Sequence, residues 1–192
     1  MKVTRAEAEA NRERVIETAG RLFREQGIDG IGLNDLMQAA GLTRGGFYRQ
    51  FDSKLDLTVQ AMNRAKDVNQ TRWGKLRYLP PEQAREQLIR QYLSDYHVSN
   101  PGDGCVLAAL GGDAVRQPPE VRRVYTENLL QLLDLIGEFS HGEAEGERSQ
   151  QAMATLSLLV GALVLSRAVD DDSLSRELRE SAINALLKPE AE

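Results

Sequence analysis

The stretch Gly41-Leu42-Thr43-Arg44-Gly45-Gly46-Phe47-Tyr48-Arg49-Gln50-Phe51-Asp52-Ser53-Lys54 decides how this 192-residue chain is read. Before it, Leu33, Leu36, Met37 and Ala40 recur at helical spacing over barely two turns, and Gly41 stops them. A glycine there tolerates the positive φ of a sharp turn. Leu42 is expected to plug a small core between the flanking helices. Thr43 is expected to cap the next helix with its hydroxyl. That helix, Arg44 to about Gln50, is too short and too polar to be stable alone. Upstream, Val15, Ala19, Leu22 and Phe23 form one apolar stripe, and Gly27 is expected as its left-handed C-cap. Three short helices with a tight turn between the last two make a helix-turn-helix pattern. The third helix then reads as a probe, held by the others and shaped for a DNA major groove.

Composition agrees with a helical protein. Ala, Leu, Glu, Arg and Gln dominate, runs of β-branched residues are nearly absent, and aromatics make up 5%. The expected fold class is all-α, with about nine helices. The net charge of −5 hides an asymmetry. Residues 1–77 hold 14 Lys and Arg against 10 Asp and Glu, whereas residues 78–192 hold 10 against 19. A basic front suits a polyanionic partner. The N-terminus carries no apolar stretch of signal-peptide length, and the lone Cys105 cannot form an internal disulfide. A cytoplasmic location is therefore expected. Ala152 to Val169 has nearly the length of a bilayer span but contains Thr155, Ser157, Ser166 and Arg167, so a helix buried on two sides is the better reading.

Along the chain, Thr4-Arg5-Ala6-Glu7 has capping-box spacing. Asp52 or Ser53 is placed to cap a fourth helix running to about Arg77, before Pro80-Pro81. Later helices are expected at about 81–98, 104–115, 119–140, 148–169 and 174–187. Gly142 to Gln151 reads as a loop or a frayed helix start. The expected division is a DNA-binding domain over residues 1–52 and an effector-binding and dimerisation domain over residues 53–192.

The segment from Gly41 to Lys54 resembles the signature of the tetracycline-repressor (TetR) family. Thr43, Gly45, Tyr48, Phe51, Ser53 and Lys54 match it, and Asp35 and Ala40 fall where the family usually has Asp and Ala. The likeness is strong over roughly residues 12–58. Beyond them it extends only to helix layout and the run Gly161 to Leu178. It implies that Thr43, Arg44 and Gly45 face the groove while Tyr48 and Lys54 meet phosphates. The chemistry of the residues fits. Arginine can bond bidentately to a guanine edge, and a lysine in the first turn of a helix would share a phosphate with the helix N-terminus. Gly45 and Gly46 each cost a helix about 1 kcal/mol relative to alanine, which suggests a reason beyond folding. Gly46 departs from the commoner, larger family residue. Arg49 and Gln50 complete the expected DNA-binding set, and Phe47 and Phe51 are expected in the core.

One recognition helix reads few base pairs, so a homodimer on a palindromic double-stranded operator is expected. The last two helices are the best interface, with Leu156, Val160, Gly161, Leu163, Val164, Leu178, Ala182 and Leu186 as its residues. In relatives the middle helices form a ligand pocket. Candidate lining residues here are Met62, Trp73, Tyr92, Tyr96, His97, Cys105, Tyr125 and Phe139, for a small hydrophobic or electrophilic effector. Tyr92 and Tyr96 stand one helical turn apart. Cys105 is expected in the first turn of a helix, where a thiol is activated towards oxidants or electrophiles. Against that stands the plainer reading of Cys105 as a small buried hydrophobe, with Asp103 nearby opposing thiolate formation.

No catalytic or metal constellation emerges: His97 and His141 are isolated, and there is no phosphate-binding glycine loop or nucleophile elbow. The reading calls for no cofactor, no membrane and no enzyme. The expected function is a repressor released from its operator by a small molecule. An activator of the same fold is the first alternative, and a helical small-molecule-binding protein without DNA binding is the second.

Overall fold

The structure is a computed structural model in which residues 4–139 and 150–188 are described. Among them are ten α-helices and no strand: α1 (Arg5–Gln26), α2 (Leu33–Ala39), α3 (Arg44–Phe47), α4 (Lys54–Gly74), α5 (Pro81–Tyr92), α6 (Asp95–Ser99), α7 (Val106–Ala114), α8 (Pro119–Glu138), α9 (Gln150–Ala168) and α10 (Asp172–Leu187). Single turns of 3₁₀ helix follow α4 and precede α7, at Lys75–Tyr78 and Pro101–Asp103. The fold is all-α, as expected.

Helix ends follow the local chemistry. Thr4 and Glu7 form the expected capping box at the start of α1. Ser53 caps α4, its Oγ accepting from the Asp56 N–H at 3.0 Å. The helix expected over 81–98 is instead two. Ser94 breaks it by accepting from the His97 N–H and starting α6 as a new N-cap. Tyr92 and Tyr96 therefore share no face: Tyr92 is buried and Tyr96 exposed. Most of the expected loop from Gly142, and His141, lies outside the described residues. Gln150 and Gln151 begin α9.

Contacts divide the chain into two compact units. One is built from the chain up to Val68 together with Pro101–Thr126, and the other from Asn69–Asn100 together with the chain from Glu127. This division cuts across the expected boundary at residue 52, because α1 packs on α7 and on the 3₁₀ turn before it. The core of the first unit takes Val15, Ile16, Ala19, Leu22 and Phe23 from α1, Leu36 and Met37 from α2, and Phe47, Phe51 and Leu57. The Arg24 side chain donates through Nε and Nη2 to the Gly102 carbonyl. Burial lowers the pKa of that guanidinium, against the pull of Asp103 and Cys105. Asp113 on α7 accepts the Ile28 N–H at 3.2 Å. Gly27 has φ 84° but ψ 159°, so it is not the expected left-handed helical cap. A Cβ there would come within 2.8 Å of the Asp113 carboxylate, so both its φ and its surroundings call for glycine.

In the second unit α9 packs against α10, α5 and α6. By length and composition α9 could cross a membrane. Its Arg167, however, bonds to the His97 and Val98 carbonyls, and the Ser166 and Ser175 hydroxyls each donate to the other residue's carbonyl. Buried Arg179 of α10 donates to the Leu93 carbonyl at 3.1 Å and to Asp95 at 2.7 Å.

His97 is buried, with Nδ1 2.6 Å from the Tyr92 carbonyl and its ring edge-on to the Tyr92 ring. A carbonyl can only accept, so Nδ1 carries the proton. Burial pushes the imidazole pKa down to about 4, opposed by the Tyr92 carbonyl and helped by Arg167 and Arg72. The unfolded imidazole titrates near 6.5, so protonation favours the unfolded chain between those values. Stability is therefore complete above about pH 6.5 and falls by up to about 3 kcal/mol as pH drops to about 4. Urea unfolding at pH 7 and pH 4.5 should show this loss, and His97→Gln should shrink it; an unchanged difference in the variant would assign it to other groups.

Candidate nucleic-acid interface

The turn before α3 is built as the sequence requires. Gly41 has φ 72°, its N–H bonds to the Gln38 carbonyl, and the Leu42 N–H bonds to Met37. These two bonds are a Schellman motif, which ends α2 and swings the chain into α3. Leu42 is half-buried. Phe47 and Phe51 are buried with rings 5.4 Å apart, and the Arg12 guanidinium lies 5.3 Å from the Phe51 ring centroid. This aromatic pair anchors α3 from beneath.

What remains above it is exposed: Thr43, Arg44, Gly45, Tyr48 and Arg49, with Gly46 and Gln50 half-buried. The Tyr48 side chain is 63% accessible and rests edge-on against Phe47 at 5.2 Å. Arg44 enters no hydrogen bond or ion pair among the described residues. A Cβ added at Gly45 would meet nothing within 4 Å, and one at Gly46 would only reach the Thr43 hydroxyl at 4.0 Å. Nothing among the described residues calls for two glycines here.

Three sequence expectations change. The helix is one turn, Arg44–Phe47, and not seven residues, because the glycine pair does not sustain it; a turn through Gln50 completes the segment. Thr43 stands at the N-cap with φ −90° and ψ 152°, but its side chain caps nothing. Its carbonyl takes the Gly46 N–H instead, which leaves the hydroxyl facing outward. Lys54 is not free to extend from the start of α4. Its Nζ donates to the Ile31 carbonyl at 2.7 Å and sits 6.0 Å from the Phe23 ring centroid, tying α4 to the link between α1 and α2.

The comparisons bear on this surface. The family model of bacterial regulatory proteins of the tetR family matches residues 15–61, from Val15 in α1 to Ala61 in α4. Over those residues the chain is similar to tetR-family regulators. An HTH-type transcriptional regulator of Staphylococcus aureus (strain USA300) is 33% identical over 73 residues, which are 38% of this chain and 40% of that protein. The match thus spans less than half of the curated relative. Solved tetR-type structures share the fold over nearly the whole chain. The reduced form of Escherichia coli NemR has a TM-score of 0.78 at 23% identity, covering 92% of this chain and 95% of that one. A tetR regulator of Chloroflexus aurantiacus J-10-FL has 0.78 at 21%, covering 95% and 94%. A structure of AibR in complex with isovaleryl coenzyme A and operator DNA has 0.67 at 15%, covering 93% and 99%.

The other candidate residues are distributed as follows. Met62, Cys105 and Tyr125 lie in the first unit, where Met62 and Cys105 are buried and the Tyr125 hydroxyl donates to the Leu107 carbonyl at 3.0 Å. Cys105 is the N-cap of α7, not a residue of its first turn. Trp73, Tyr92, Tyr96, His97 and Phe139 lie in the second unit. Trp73, Tyr96 and His97 line one cavity there; the Tyr92 ring lies edge-on to His97, and Phe139 is buried core.

Of the expected dimer residues, Leu156, Leu163, Ala182 and Leu186 are buried within their own unit. The face of α9 left open is Ala154, Ser157, Leu158, Gly161, Val164 and Leu165, at i, i+3, i+4, i+7 spacing, with Val160 half-buried beside it. Leu174, Leu178 and Ala185 give α10 a parallel stripe. A Cβ at Gly161 would meet nothing, so the middle of this face is open to a crossing helix.

The glycine pair supplies a test with opposite signs. Gly45→Ala should stabilise α3 by up to about 1 kcal/mol and yet weaken DNA binding, because the added methyl occupies space the duplex backbone would need. Thermal melting and a gel shift measure the two. Stabilisation with undiminished binding would show that the DNA does not approach Gly45.

Proposed function

We propose that this protein is a dimeric, cytoplasmic, DNA-binding transcriptional regulator, a repressor that a small-molecule effector releases from a palindromic operator. The observation that carries this is the exposed one-turn α3, free of side chains at Gly45 and Gly46, flanked by Arg44, Tyr48 and Arg49, and braced by buried Phe47 and Phe51. Arg44 reads base edges in the major groove, while Tyr48, Arg49 and the first N–H groups of α4 hold phosphates. Lys54 positions the start of α4 and adds its charge at short range. AibR, similar in fold, has been crystallised with operator DNA and an acyl coenzyme A, which supports a division of labour between operator and effector.

A dimer that reads two half-sites would present its α3 helices about one DNA turn apart, roughly 34–36 Å, or slightly more. An effector favouring another spacing would weaken binding by its differential affinity for the two states. For an electrophilic effector the target would be Cys105, buried at the N-cap of α7. The deciding experiment is a gel shift on DNA upstream of the protein's own gene, repeated over a range of salt. Saturable binding that falls steeply with salt and survives excess random DNA is expected. Equal affinity for random DNA, or none at all, rejects the regulator reading.

A further inference from the structure

We infer that Arg12 of α1 is a positioning residue for DNA contact, which sets the segment from Phe47 to Ser53 through Phe51 and through a relay of Gln60 and Asp56. This deepens the DNA-binding half of the proposed function and rests on it.

Arg12 has two holds, both within one compact unit. Its guanidinium lies 5.3 Å from the Phe51 ring centroid, within reach of a cation–π attraction. Phe51 in turn stacks on Phe47 beneath the exposed α3. The second hold crosses from α1 to α4, where the Arg12 Nη2 donates to the Gln60 Oε1. Gln60 passes the restraint on, its Nε2 donating to the Asp56 Oδ1 at 2.8 Å. The other Asp56 oxygen accepts the Asp52 N–H at 3.2 Å, and the Asp56 N–H donates to the Ser53 Oγ at 3.0 Å. The two holds therefore end on one stretch of chain, the rings at Phe47 and Phe51 and the relay at Asp52 and Ser53. Exposed Tyr48 and Arg49 lie on that stretch.

The chemistry gives the relay a single sense. A guanidinium can only donate and a carboxylate can only accept. The amide between them must turn its oxygen to Arg12 and its nitrogen to Asp56, and each bond polarises the next. Arg12, Gln60 and Asp56 are all half-buried, so water competes less for these bonds than on an open surface. Fastening α1 to α4 does not require them. Arg64 of α4 pairs with Glu13 of α1 at 3.1 Å, and Gly20 lets the two helices lie close, an added Cβ there falling 3.6 Å from the Ala61 carbonyl oxygen. What the Arg12 relay adds to that seam is its last bond, to the Asp52 N–H at the entry to α4.

The test is binding of the full-length protein to DNA upstream of its own gene, and to a random duplex of equal length, over a range of salt. Gln60→Leu is the decisive variant, because it breaks the relay without changing any charge. It should weaken both complexes about tenfold. The slope of log affinity against log salt should become shallower by about two, one phosphate in each half-site of a dimer. The preference for upstream over random DNA should stay, because Arg44 is untouched. Gln60→Met, unbranched like glutamine, should repeat the result. Arg12→Met should match it, and Arg12→Lys should recover part of the loss, since one ammonium can keep either hold but not both. Joining Gln60→Leu to Arg12→Met should cost no more than Arg12→Met alone. Arg64→Gln is the control. It cuts the other tie between α1 and α4, about 15 Å along α4 from Lys54, beyond the screening length of roughly 8–10 Å, and should leave affinity and slope as they are. Circular dichroism checks that each variant is folded at the assay temperature. Wild-type affinity and slope in the Gln60 variants overturn the inference, even if they melt earlier. A loss confined to Arg12→Met overturns it too, by putting the guanidinium itself on a phosphate. So does an equal loss in Arg64→Gln, which would mark a general loosening of α1 on α4. In each of these cases the DNA reading stands; a wild-type protein that binds neither duplex rejects that reading and takes this inference with it.

Discussion

Replacing Arg44 with alanine is expected to lower operator affinity by about 30-fold to 20,000-fold and to relax the preference for one base pair in each half-site. The range follows from about 1–3 kcal/mol for each bidentate arginine–base contact, present twice in a symmetric complex. The side chain is exposed and bonds to nothing else among the described residues, so its removal leaves the fold intact. Two controls sharpen the result. Arg49→Ala should weaken binding to all sequences alike and flatten its salt dependence, as loss of a phosphate contact does. Phe47→Ala should instead unfold the mini-core, at a cost of about 3–5 kcal/mol, because that ring is wholly buried. Operator affinity that survives Arg44→Ala unchanged would mean that another surface meets the DNA.

The second large effect is expected at Leu165. It is 53% accessible on the open face of α9, one turn from Gly161 and two from Leu158. Leu165→Glu should therefore fold normally as a single chain. In a two-fold dimer it would bury two carboxylates without partners, at several kcal/mol in all. Self-association should weaken by about a thousandfold. Sedimentation should show a species of half the mass, and operator binding at nanomolar concentrations should disappear with it. A variant that stays dimeric would place the interface elsewhere and remove the argument from the α9 stripe.

Much of the reading head was legible because its determinants are local. The turn at Gly41, the caps at Thr4 and Ser53, and the burial of Phe47 and Phe51 all depend on residues within a few positions of one another. Lys54 was not legible in the same way. Its partner is a backbone carbonyl at Ile31, 23 positions away, and no side-chain pattern announces a carbonyl. The break between α5 and α6 did leave a signal in Ser94, an N-cap residue ahead of His97, but the apolar period on both sides concealed it. The burial of Leu156, Leu163, Ala182 and Leu186 within their own unit escaped the sequence for another reason. α9 is apolar all round, so periodicity could not tell the face that packs at home from the face that waits for a partner. Cys105 was placed one step too far into α7, because Pro101–Asp103 forms its own 3₁₀ turn and delays the helix.

The seam between α1 and α7 constrains anyone who wishes to build hybrid regulators from this chain. Arg24 clasps Gly102, Asp113 closes the end of α1, and Gln117 reaches Asp29 at 2.8 Å. A cut near residue 52 or 68 would strip these clasps away and uncover the apolar side of α1. The reading head is thus not a cassette that can be lifted out in one piece: a working chimera has to import Pro101–Thr126 along with it, two lengths of chain separated by a stretch that belongs to the other body.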